Sequence, residues 1–216
     1  MEKYEFTGEE LKVGGRVLRR IRAVRAFGGV QAGEVGGWIE KEGNLSHEGM
    51  CWVYDSAWVY GSAGVYGSAR VSGEARVYGS ARVYDSAWVY DSAWVYDSAW
   101  VYGSARVYDS AWVSGEARVY DSAWVSGEAR VQTCDAWCSF GSFGSRSGST
   151  TAHLDTEIGI RINCGCFSGS LEQFRDKVIE THGETSRNGI LYLGMANMIE
   201  YRLEEALKRM KEAQAA

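Results

Sequence analysis

Four of the five cysteines occur as two close pairs, and cysteine thiolates are common zinc ligands. The first pair is Cys134 and Cys138, and the second pair is Cys164 and Cys166. Four thiolates can complete a structural zinc site, but these spacings differ from the paired C-x2-C pattern of many such sites. The spacing therefore favours free thiols, buried or partly exposed, with zinc as the alternative. We predict no metal and no cofactor.

Tryptophan is the other residue type whose spacing is unusual. Between residues 53 and 130, six tryptophans recur at multiples of six residues: Trp58, Trp88, Trp94, Trp100, Trp112 and Trp124. A monomeric protein rarely carries a contiguous apolar surface without a purpose. One interpretation is a recognition face for a protein, a glycan or a nucleotide, and the other is stacking that stabilises neighbouring repeats. Under the first interpretation the candidate binding residues are Trp88, Trp94, Trp100, Trp112 and Trp124.

A strict six-residue repeat positions these side chains. Thirteen hexads run from Val53 to Arg130 without an insertion. Six read VYDSAW, three VYGSAR, three VSGEAR and one VYGSAG. Such a period predicts a parallel β-helix, a solenoid in which each coil buries its apolar rows against the next. Three hexads make one triangular coil, so residues three hexads apart are expected to stack in register. At ~4.8 Å per rung the block is roughly 20 Å long.

Alternation along each short strand predicts which side chains face the interior. Valine and alanine point inward, whereas Trp or Arg and the following Tyr point outward. The Asp/Gly-Ser pair has the chemistry of a corner. Stacking every third hexad then predicts three outward columns, in which arginine contacts tryptophan. The columns are Arg70, Trp88, Arg106 and Trp124; Trp58, Arg76, Trp94, Trp112 and Arg130; and Gly64, Arg82, Trp100 and Arg118.

Composition and charge limit the class of protein. The net charge is −5, and the hexads carry six Asp and three Glu against six Arg, a balance of −3. Nucleic-acid-binding surfaces are expected to be basic, so this class is disfavoured. No apolar run approaches the ~18–20 residues that span a membrane. The N-terminus lacks a basic-then-apolar leader pattern, and the odd number of cysteines is typical of free thiols. We therefore predict a cytoplasmic protein.

Residues 1–29 are predicted to form a strand-rich N-terminal cap, with a hairpin turn at Gly14-Gly15. Its five arginines, between Arg16 and Arg25, form either a patch for phosphate or an acidic partner, or one side of a strand paired with nearby Glu. Residues 30–131 are predicted to form the β-helix. Its first coil is degenerate, because Ile39 and Leu45 keep the period but Val53 follows after two extra residues.

Residues 132–216 are predicted to form a small α+β C-terminal cap. The Gly/Ser-rich stretch 132–150 is interpreted as an irregular exit loop, followed by a hairpin around Asp155-Thr156. Ser170 and Gln173 form a capping-box pattern that starts a helix ending near His182. A second helix is predicted over residues 189–212. Its apolar seam either lies along the cap or pairs with a second copy in a homo-oligomer.

The segment leading into the repeats resembles a known family. Arg22-Ala23-Val24, Phe27, Val30 to Gly33, Gly36 to Ile39, Asn44-Leu45-Ser46 and Gly49 to Tyr54 are similar to bacterial and phage-borne hexapeptide-repeat proteins of the YdcK-like acyltransferase type. With the hexads, the resemblance covers about residues 16–131 and implies a left-handed β-helix. The segment from Cys164 to Gly169, with Phe174 and Thr181-His182-Gly183, resembles the tails of uncharacterised phage proteins.

The resemblance also implies an activity to consider. Hexapeptide acyltransferases use a histidine general base near a coenzyme A site, and the base must reach the acceptor group. The three histidines, His47, His153 and His182, all lie outside the regular hexads. We therefore predict a non-enzymatic, phage- or prophage-derived β-solenoid scaffold that binds a protein through its Trp/Tyr/Asp/Arg face. The alternatives are a coenzyme A-dependent acyltransferase and a phage-encoded inhibitor of a host defence protein.

Overall fold

A three-sided parallel β-solenoid forms the body of the protein. The computed structural model describes residues 2–215, apart from the side chains of Ser142, Phe143 and Arg146. Fourteen two-residue strands, β4 to β17, begin every six residues. They are Trp52–Val53, Trp58–Val59, Gly64–Val65, Arg70–Val71, Arg76–Val77, Arg82–Val83, Trp88–Val89, Trp94–Val95, Trp100–Val101, Arg106–Val107, Trp112–Val113, Arg118–Val119, Trp124–Val125 and Arg130–Val131. The predicted register is confirmed, because Val89 pairs with Val71 on one rung and with Val107 on the other.

An N-terminal hairpin extends one side of the solenoid. Strands β1 (Tyr4–Val13) and β2 (Arg16–Ala23) pair antiparallel across the predicted Gly14-Gly15 turn, and β3 (Val35–Ile39) joins β2 to β5. Face 1 is therefore an eight-stranded sheet, ordered β1-β2-β3-β5-β8-β11-β14-β17. Face 2 is ordered β16-β13-β10-β7-β4, and face 3 is ordered β15-β12-β9-β6.

The first coil is longer than the others, as its sequence predicts. Ile39 pairs with Val59 and Leu45 forms a bridge with Val65, whereas Val53 already pairs with Val71 at the regular three-hexad spacing. The two extra residues are therefore accommodated between Leu45 and Val53.

The interior consists of stacked valine and alanine rows. Every repeat valine from Val53 to Val131 is 0% exposed, and the repeat alanines between them are at most 1% exposed. Fully burying a side chain of valine size contributes about 1.5–3 kcal/mol, and stacking buries each row against two others. Because the small alanine lets the sides approach closely, the interior is narrow and filled by side chains.

Position three of each hexad requires a left-handed backbone. The six repeat aspartates have φ between 52° and 57°, and the glycines that replace them, such as Gly79, also have positive φ. Glycine is the default residue in this region and aspartate tolerates it, which explains why only these two types occur there. Four of the aspartates also accept a hydrogen bond from the backbone N–H of the glycine one rung along, at 2.9–3.3 Å.

The C-terminal cap contains more sheet than the sequence suggested. Strands β18 (Trp137–Phe143), β19 (Gly148–Asp155), β20 (Gly159–Cys164) and β21 (Phe167–Ser170) form a four-stranded antiparallel sheet. The predicted hairpin is present as β19–β20. The interpretation of residues 132–150 as an irregular loop is wrong, because β18 and the start of β19 lie within them. Pairing with β19 supplies the hydrogen bonds that stabilise this Gly/Ser-rich strand.

Two helices follow the cap sheet. Helix α1 (Leu171–His182) begins at the predicted capping box, in which the Ser170 side chain accepts a hydrogen bond from the Gln173 N–H, and it ends at Gly183. Helix α2 (Arg187–Ala215) is a few residues longer than predicted at both ends. Its apolar seam is buried within the chain at Tyr192, Ala196, Ile199, Leu203 and Ala206. Within residues 2–215 neither helix is long and apolar enough to cross a membrane.

Side chains of the cap sheet satisfy the open end of the solenoid. In the regular coils each rung donates its N–H groups to the carbonyls of the next, as Trp88 does to Ala105 at 2.9 Å. The last coil of face 2 donates instead to side chains of β19. Thr151 Oγ1 accepts from Trp124, His153 Nε2 from Ser126 and Asp155 Oδ2 from Glu128, at 3.1–3.3 Å. This capping leaves no bare strand edge there for another chain to pair with.

The opposite end exposes carbonyl groups, and donor side chains satisfy them. The Lys3 ammonium donates to the Cys51 carbonyl at 2.9 Å, the Tyr4 hydroxyl to the Leu45 carbonyl at 3.0 Å. The Asn44 amide donates to the Ala63 carbonyl at 2.7 Å. Burial lowers the pKa of Lys3. The N–H groups of each rung are directed toward the C-terminal end, and the carbonyl groups are directed toward the N-terminal end. Acceptor side chains therefore cover the C-terminal end, and donor side chains cover the N-terminal end.

We expect excision of one whole coil, Val89 to Arg106, to leave a folded protein. Trp88 would then precede Val107, and every valine would keep a valine above and below it because neighbour contacts dominate in a solenoid. Circular dichroism should show an unchanged spectrum shape, and small-angle scattering should show a shortening of about 5 Å, one rung.

Excision of two hexads, Val89 to Trp100, provides the comparison. The cap contacts with Trp124, Ser126 and Glu128 are local and are expected to survive, but the cap should rotate by a third of a turn relative to the N-terminal hairpin. Loss of folding after removal of the complete coil would contradict the three-hexad repeat as an interchangeable unit.

Candidate functional site

Face 1 carries a continuous ladder of aromatic and arginine side chains. The Arg76 guanidinium lies between the rings of Trp58 and Trp94, 4.4 and 4.8 Å from their centroids. Trp94 stacks on Trp112 at 5.0 Å with the rings within 6° of parallel. Arg130 covers the far side of Trp112 at 4.1 Å. The predicted column is therefore confirmed as a ladder of cation–π and stacking contacts.

The ladder covers the faces of its own rings. Trp94 has Arg76 on one side and Trp112 on the other, and Trp100 on face 3 lies between Arg82 and Arg118 at 5.4 and 4.9 Å. Sugar rings and nucleobases bind tryptophan by stacking on a free ring face. Because these faces are occupied, the half-buried tryptophans present ring edges to solvent. The geometry disfavours glycan or nucleotide stacking and leaves the ring edges available for contact.

Tyrosine columns run beside the tryptophan columns. On face 1, Tyr60, Tyr78 and Tyr96 stack at 5.0 Å with rings within 5° of parallel. Tyr96 meets the edge of Trp112 at 6.2 Å, so the two columns support each other. Burial, together with the neighbouring tyrosines, raises the pKa of Tyr78 to about 12. Its hydroxyl therefore remains a neutral hydrogen-bond donor over the physiological range.

The five candidate tryptophans do not form one site. Trp94 and Trp112 lie together on face 1, Trp100 lies on face 3, and Trp88 and Trp124 lie on face 2. A flat partner contacts one side of a triangular solenoid at a time. The structure thus divides the predicted set into three, and face 1 holds the longest ladder because the N-terminal hairpin continues its sheet.

The N-terminal arginines pair mostly with glutamates. Arg16 donates two hydrogen bonds to the Glu40 carboxylate at 2.9 and 3.0 Å, and Arg22 pairs with Glu5. Arg19 and Arg20 lie 3.9 Å from glutamate oxygens. This supports the interpretation of a strand surface rather than that of an anion site. Two of these arginines also extend the face 1 ladder, since Arg16 lies over the ring of Tyr60 and Arg20 lies over the ring of Trp38.

All three histidines contact other side chains or backbone groups of the protein. The His47 Nδ1 accepts a hydrogen bond from the Lys3 backbone at 3.1 Å, and its ring stacks on Tyr4 at 4.3 Å. His153 is fully buried, and burial lowers its pKa to about 4, so it remains a neutral acceptor for Ser126. His182 stacks on Tyr192 at 5.4 Å beside a cavity in the cap. The structure does not bring these histidines together.

The paired cysteines lie on different parts of the cap sheet. Cys138 is opposite Ala152, which in turn is opposite Ile162, so strand β19 separates the first pair from Cys164 and Cys166. Burial raises the pKa of Cys138 to about 11, which disfavours its thiolate. Across residues 2–215, no three His, Cys, Asp or Glu side chains converge in a geometry suited to a metal ion. The four-thiolate zinc alternative is therefore not supported.

The repeats match a described family. Residues 69–85 and 75–91 match the family described as YdcK Beta solenoid repeat. A stretch of 39 residues, 18% of the chain, is 51% identical to "Uncharacterized acetyltransferase YdcK" of Escherichia coli (strain K12). That stretch spans only 12% of the length of the E. coli protein. Together with the observed fold, these matches show that the chain carries β-solenoid repeats of the YdcK type.

Proposed function

We propose that this protein is a non-enzymatic scaffold that binds a protein partner through face 1. The binding surface consists of the edges of Trp58, Trp94 and Trp112 together with Tyr78 and Tyr96. Tryptophan, tyrosine and arginine are the residue types that dominate interface energies. In this proposal, the three cap side chains that accept hydrogen bonds from the last coil have a structural role: Thr151, His153 and Asp155.

The stacking of the ladder carries the proposal. Trp94, Trp112 and Tyr78 each have a ring or a guanidinium on both sides, so little side-chain freedom is lost when a partner binds. The backbone beneath is a continuous sheet, which adds rigidity. Arg76 forms no salt bridge with a described residue, whereas Arg130 pairs with Glu128 at 3.3 Å and donates to the carbonyls of Ser110 and Ala129. Arg76 is therefore the ladder cation that can pair with a partner. The surface therefore suits a flat protein epitope with acidic or carbonyl acceptors.

Acyl transfer is the second candidate function, favoured by the similarity to a protein named as an acetyltransferase. That activity needs a base that reaches an acceptor group beside a coenzyme A site. His47 and His153 are engaged in hydrogen bonds, which favours the scaffold over the enzyme. Calorimetric titration with acetyl-coenzyme A distinguishes the two, because binding followed by acetyl transfer would support the enzyme.

We also propose a cytoplasmic location and a phage or prophage origin for this protein. Five free thiols suit the reducing cytoplasm, and the resemblance of both the repeats and the tail to phage proteins favours a phage or prophage source. A phage-encoded inhibitor of a host defence protein would be one form of the same binding function. Its partner would then be a host protein that covers face 1.

Replacing both Trp94 and Trp112 with alanine is expected to weaken partner binding at least about tenfold, since interface anchors contribute roughly 1–2 kcal/mol each. The partner is first isolated by affinity capture from host lysate, and its affinity is then measured by calorimetry. The variant also loses stacking contacts worth about 0.5–1.5 kcal/mol each, so its melting temperature is recorded in parallel.

Trp100→Ala is the matched control. Trp100 has the same hexad environment and lies between two arginines, but it is on face 3. It should lose about as much stability as one of the two face 1 substitutions and keep full affinity. Equal losses of affinity in Trp100→Ala and in the double variant would show that the tryptophans affect binding through the stability of the solenoid. Unchanged affinity in the double variant would remove face 1 from the binding mechanism.

A further inference from the structure

A cavity of about 410 Å³ lies in the C-terminal cap, away from the ladder of face 1. Four separate parts of the chain line it: Ser145 with Gly148-Ser149, the Cys164–Phe167 turn between β20 and β21, helix α1 from Phe174 to His182, and Tyr192 of α2. The segment that resembles phage tail sequences supplies much of this lining. Its Cys164, Cys166, Phe167, Phe174, Thr181 and His182 all border the cavity.

The inner wall of the cavity is aromatic and apolar. Phe167 meets the edge of Phe174 at 5.4 Å, and Phe174 meets the edge of Tyr192 at 6.1 Å. Val178 lies beside them and is 5% exposed. Protein interiors are normally close-packed, so apolar walls around an open space are unusual. A volume of this size falls within the range of small-molecule sites, and rigid aromatic walls favour a flat apolar body.

The rim of the cavity is polar and includes a cation. The His182 ring is held within 14° of parallel to Tyr192, and Thr181 adds a hydroxyl group. Lys177 lies on the same turn of α1 and pairs with Glu180 at 2.8 Å. Both partners of that ion pair are more than half exposed, so the pair is weak. The Lys177 ammonium can therefore exchange Glu180 for an anionic group on a ligand.

We propose that this cavity binds a small organic anion with a flat aromatic body. The body lies against Phe167, Phe174 and Val178, and the anionic group lies at the rim near Lys177 and His182. The cap would then be a second binding site, independent of the partner surface on face 1. Its occupation would stabilise the packing of α1 against α2, because Tyr192 of α2 lines the same cavity as these α1 residues.

Two dyes that share one skeleton test the proposal. 1-Anilinonaphthalene-8-sulfonate has a flat aromatic body and a sulfonate, and N-phenyl-1-naphthylamine has the same body without the charge. We expect the full-length protein to bind both, with a rise in dye fluorescence. Lys177→Gln should weaken binding of the sulfonate about fivefold, as expected for a partly exposed charge contact, and leave the neutral dye unchanged.

Filling the cavity provides the second arm. Thr181 is exposed and lines the cavity, so the Thr181→Trp variant should fold normally. Its larger side chain should fill the cavity and weaken the binding of both dyes by roughly tenfold or more. Asp176→Trp adds the same side chain at an exposed position of α1 that does not line the cavity, and it should bind both dyes as the wild type does. Undiminished dye binding by Thr181→Trp would overturn the site. An equal effect of Lys177→Gln on both dyes would overturn its preference for an anion.

Discussion

Replacing Val95 with aspartate is expected to lower the free energy of unfolding by about 3–5 kcal/mol, the cost of an unpaired buried charge. Val95 is 0% exposed and stacks between Val77 and Val113 on adjacent rungs. A carboxylate there has no donor within the valine and alanine rows, so it must remain unpaired or become protonated. Urea denaturation followed by tryptophan fluorescence measures the change.

Tyr96→Asp is the matched control for this substitution. Tyr96 is the next residue along the chain and points outward, where a carboxylate stays hydrated. It should lose only its contacts with Tyr78 and Trp112, about 1–2 kcal/mol. If Val95→Asp were as stable as the wild type, or no less stable than Tyr96→Asp, the inward assignment of the repeat valines would be wrong.

Acidification is expected to detach the C-terminal cap from the solenoid. His153 must be neutral to accept the Ser126 N–H, and burial lowers its pKa from an ordinary 6.5 to about 4. The unfolded chain therefore takes up a proton first, and stability is lost as the pH falls from about 6.5 to about 4. A shift of this size corresponds to on the order of 3 kcal/mol of unfolding free energy.

Protonation of Asp155 also lowers the stability of the protein, at a lower pH. Burial alone would raise the pKa of Asp155, but hydrogen bonds from Arg161 and from two backbone N–H groups hold it below its ordinary value. Its stabilising contribution is therefore present above that ordinary value and is lost below it. The Arg161 guanidinium lowers the pKa of His153, whereas the Asp155 carboxylate raises it.

His153→Gln separates the histidine from the other groups. A glutamine amide oxygen can accept the same Ser126 N–H and does not titrate. Thermal melts between pH 7 and pH 4 should show a flatter profile for this variant than for the wild type. If both proteins lost stability with the same slope between pH 6.5 and pH 4, protonation of His153 would not be the cause.

Much of the solenoid follows from the sequence because its rules are local and repeat. A valine every six residues sets the inner row, and the three-hexad spacing places Trp88 between Arg70 and Arg106. The Asp/Gly alternation marks a corner that requires positive φ. The capping box at Ser170 and the stop at Gly183 likewise determine the ends of α1 within the segment itself. The handedness of the coil stays a prediction from the resemblance.

Features that depend on distant contacts were not predictable in the same way. Strand β18 alternates the strand formers Trp137, Phe140 and Phe143 with glycine and serine, which have low strand propensity, and β19 offers it a pairing edge. Alternate residues Thr151, His153 and Asp155 are polar and buried because they accept hydrogen bonds from the last coil. Their alternation was visible in the sequence, but the backbone N–H groups that donate to them lie more than twenty residues earlier in the chain.

The candidate site was predicted in part. The columns follow from the period, and they already place Trp94 and Trp100 on different sides. Coverage of the ring faces depends on side-chain rotamers that no spacing reveals. This coverage disfavours the glycan and nucleotide interpretations and is compatible with the predicted protein partner. The choice of face 1 rests instead on the separation of the tryptophans onto three faces and on the longer ladder of face 1.

Hydroxyl-radical footprinting of the complex with its partner tests the binding surface most directly, because it reports the exposure of each tyrosine and tryptophan. Face 1 and face 3 carry matching tyrosine columns, Tyr60, Tyr78 and Tyr96 on the first and Tyr84, Tyr102 and Tyr120 on the second. The partner is expected to protect Tyr78, Tyr96 and Trp112 from oxidation and to leave Tyr84 and Tyr102 at their free rates. Protection of face 3 or of the cap, with face 1 oxidised as fast as in the free protein, would contradict the proposed function.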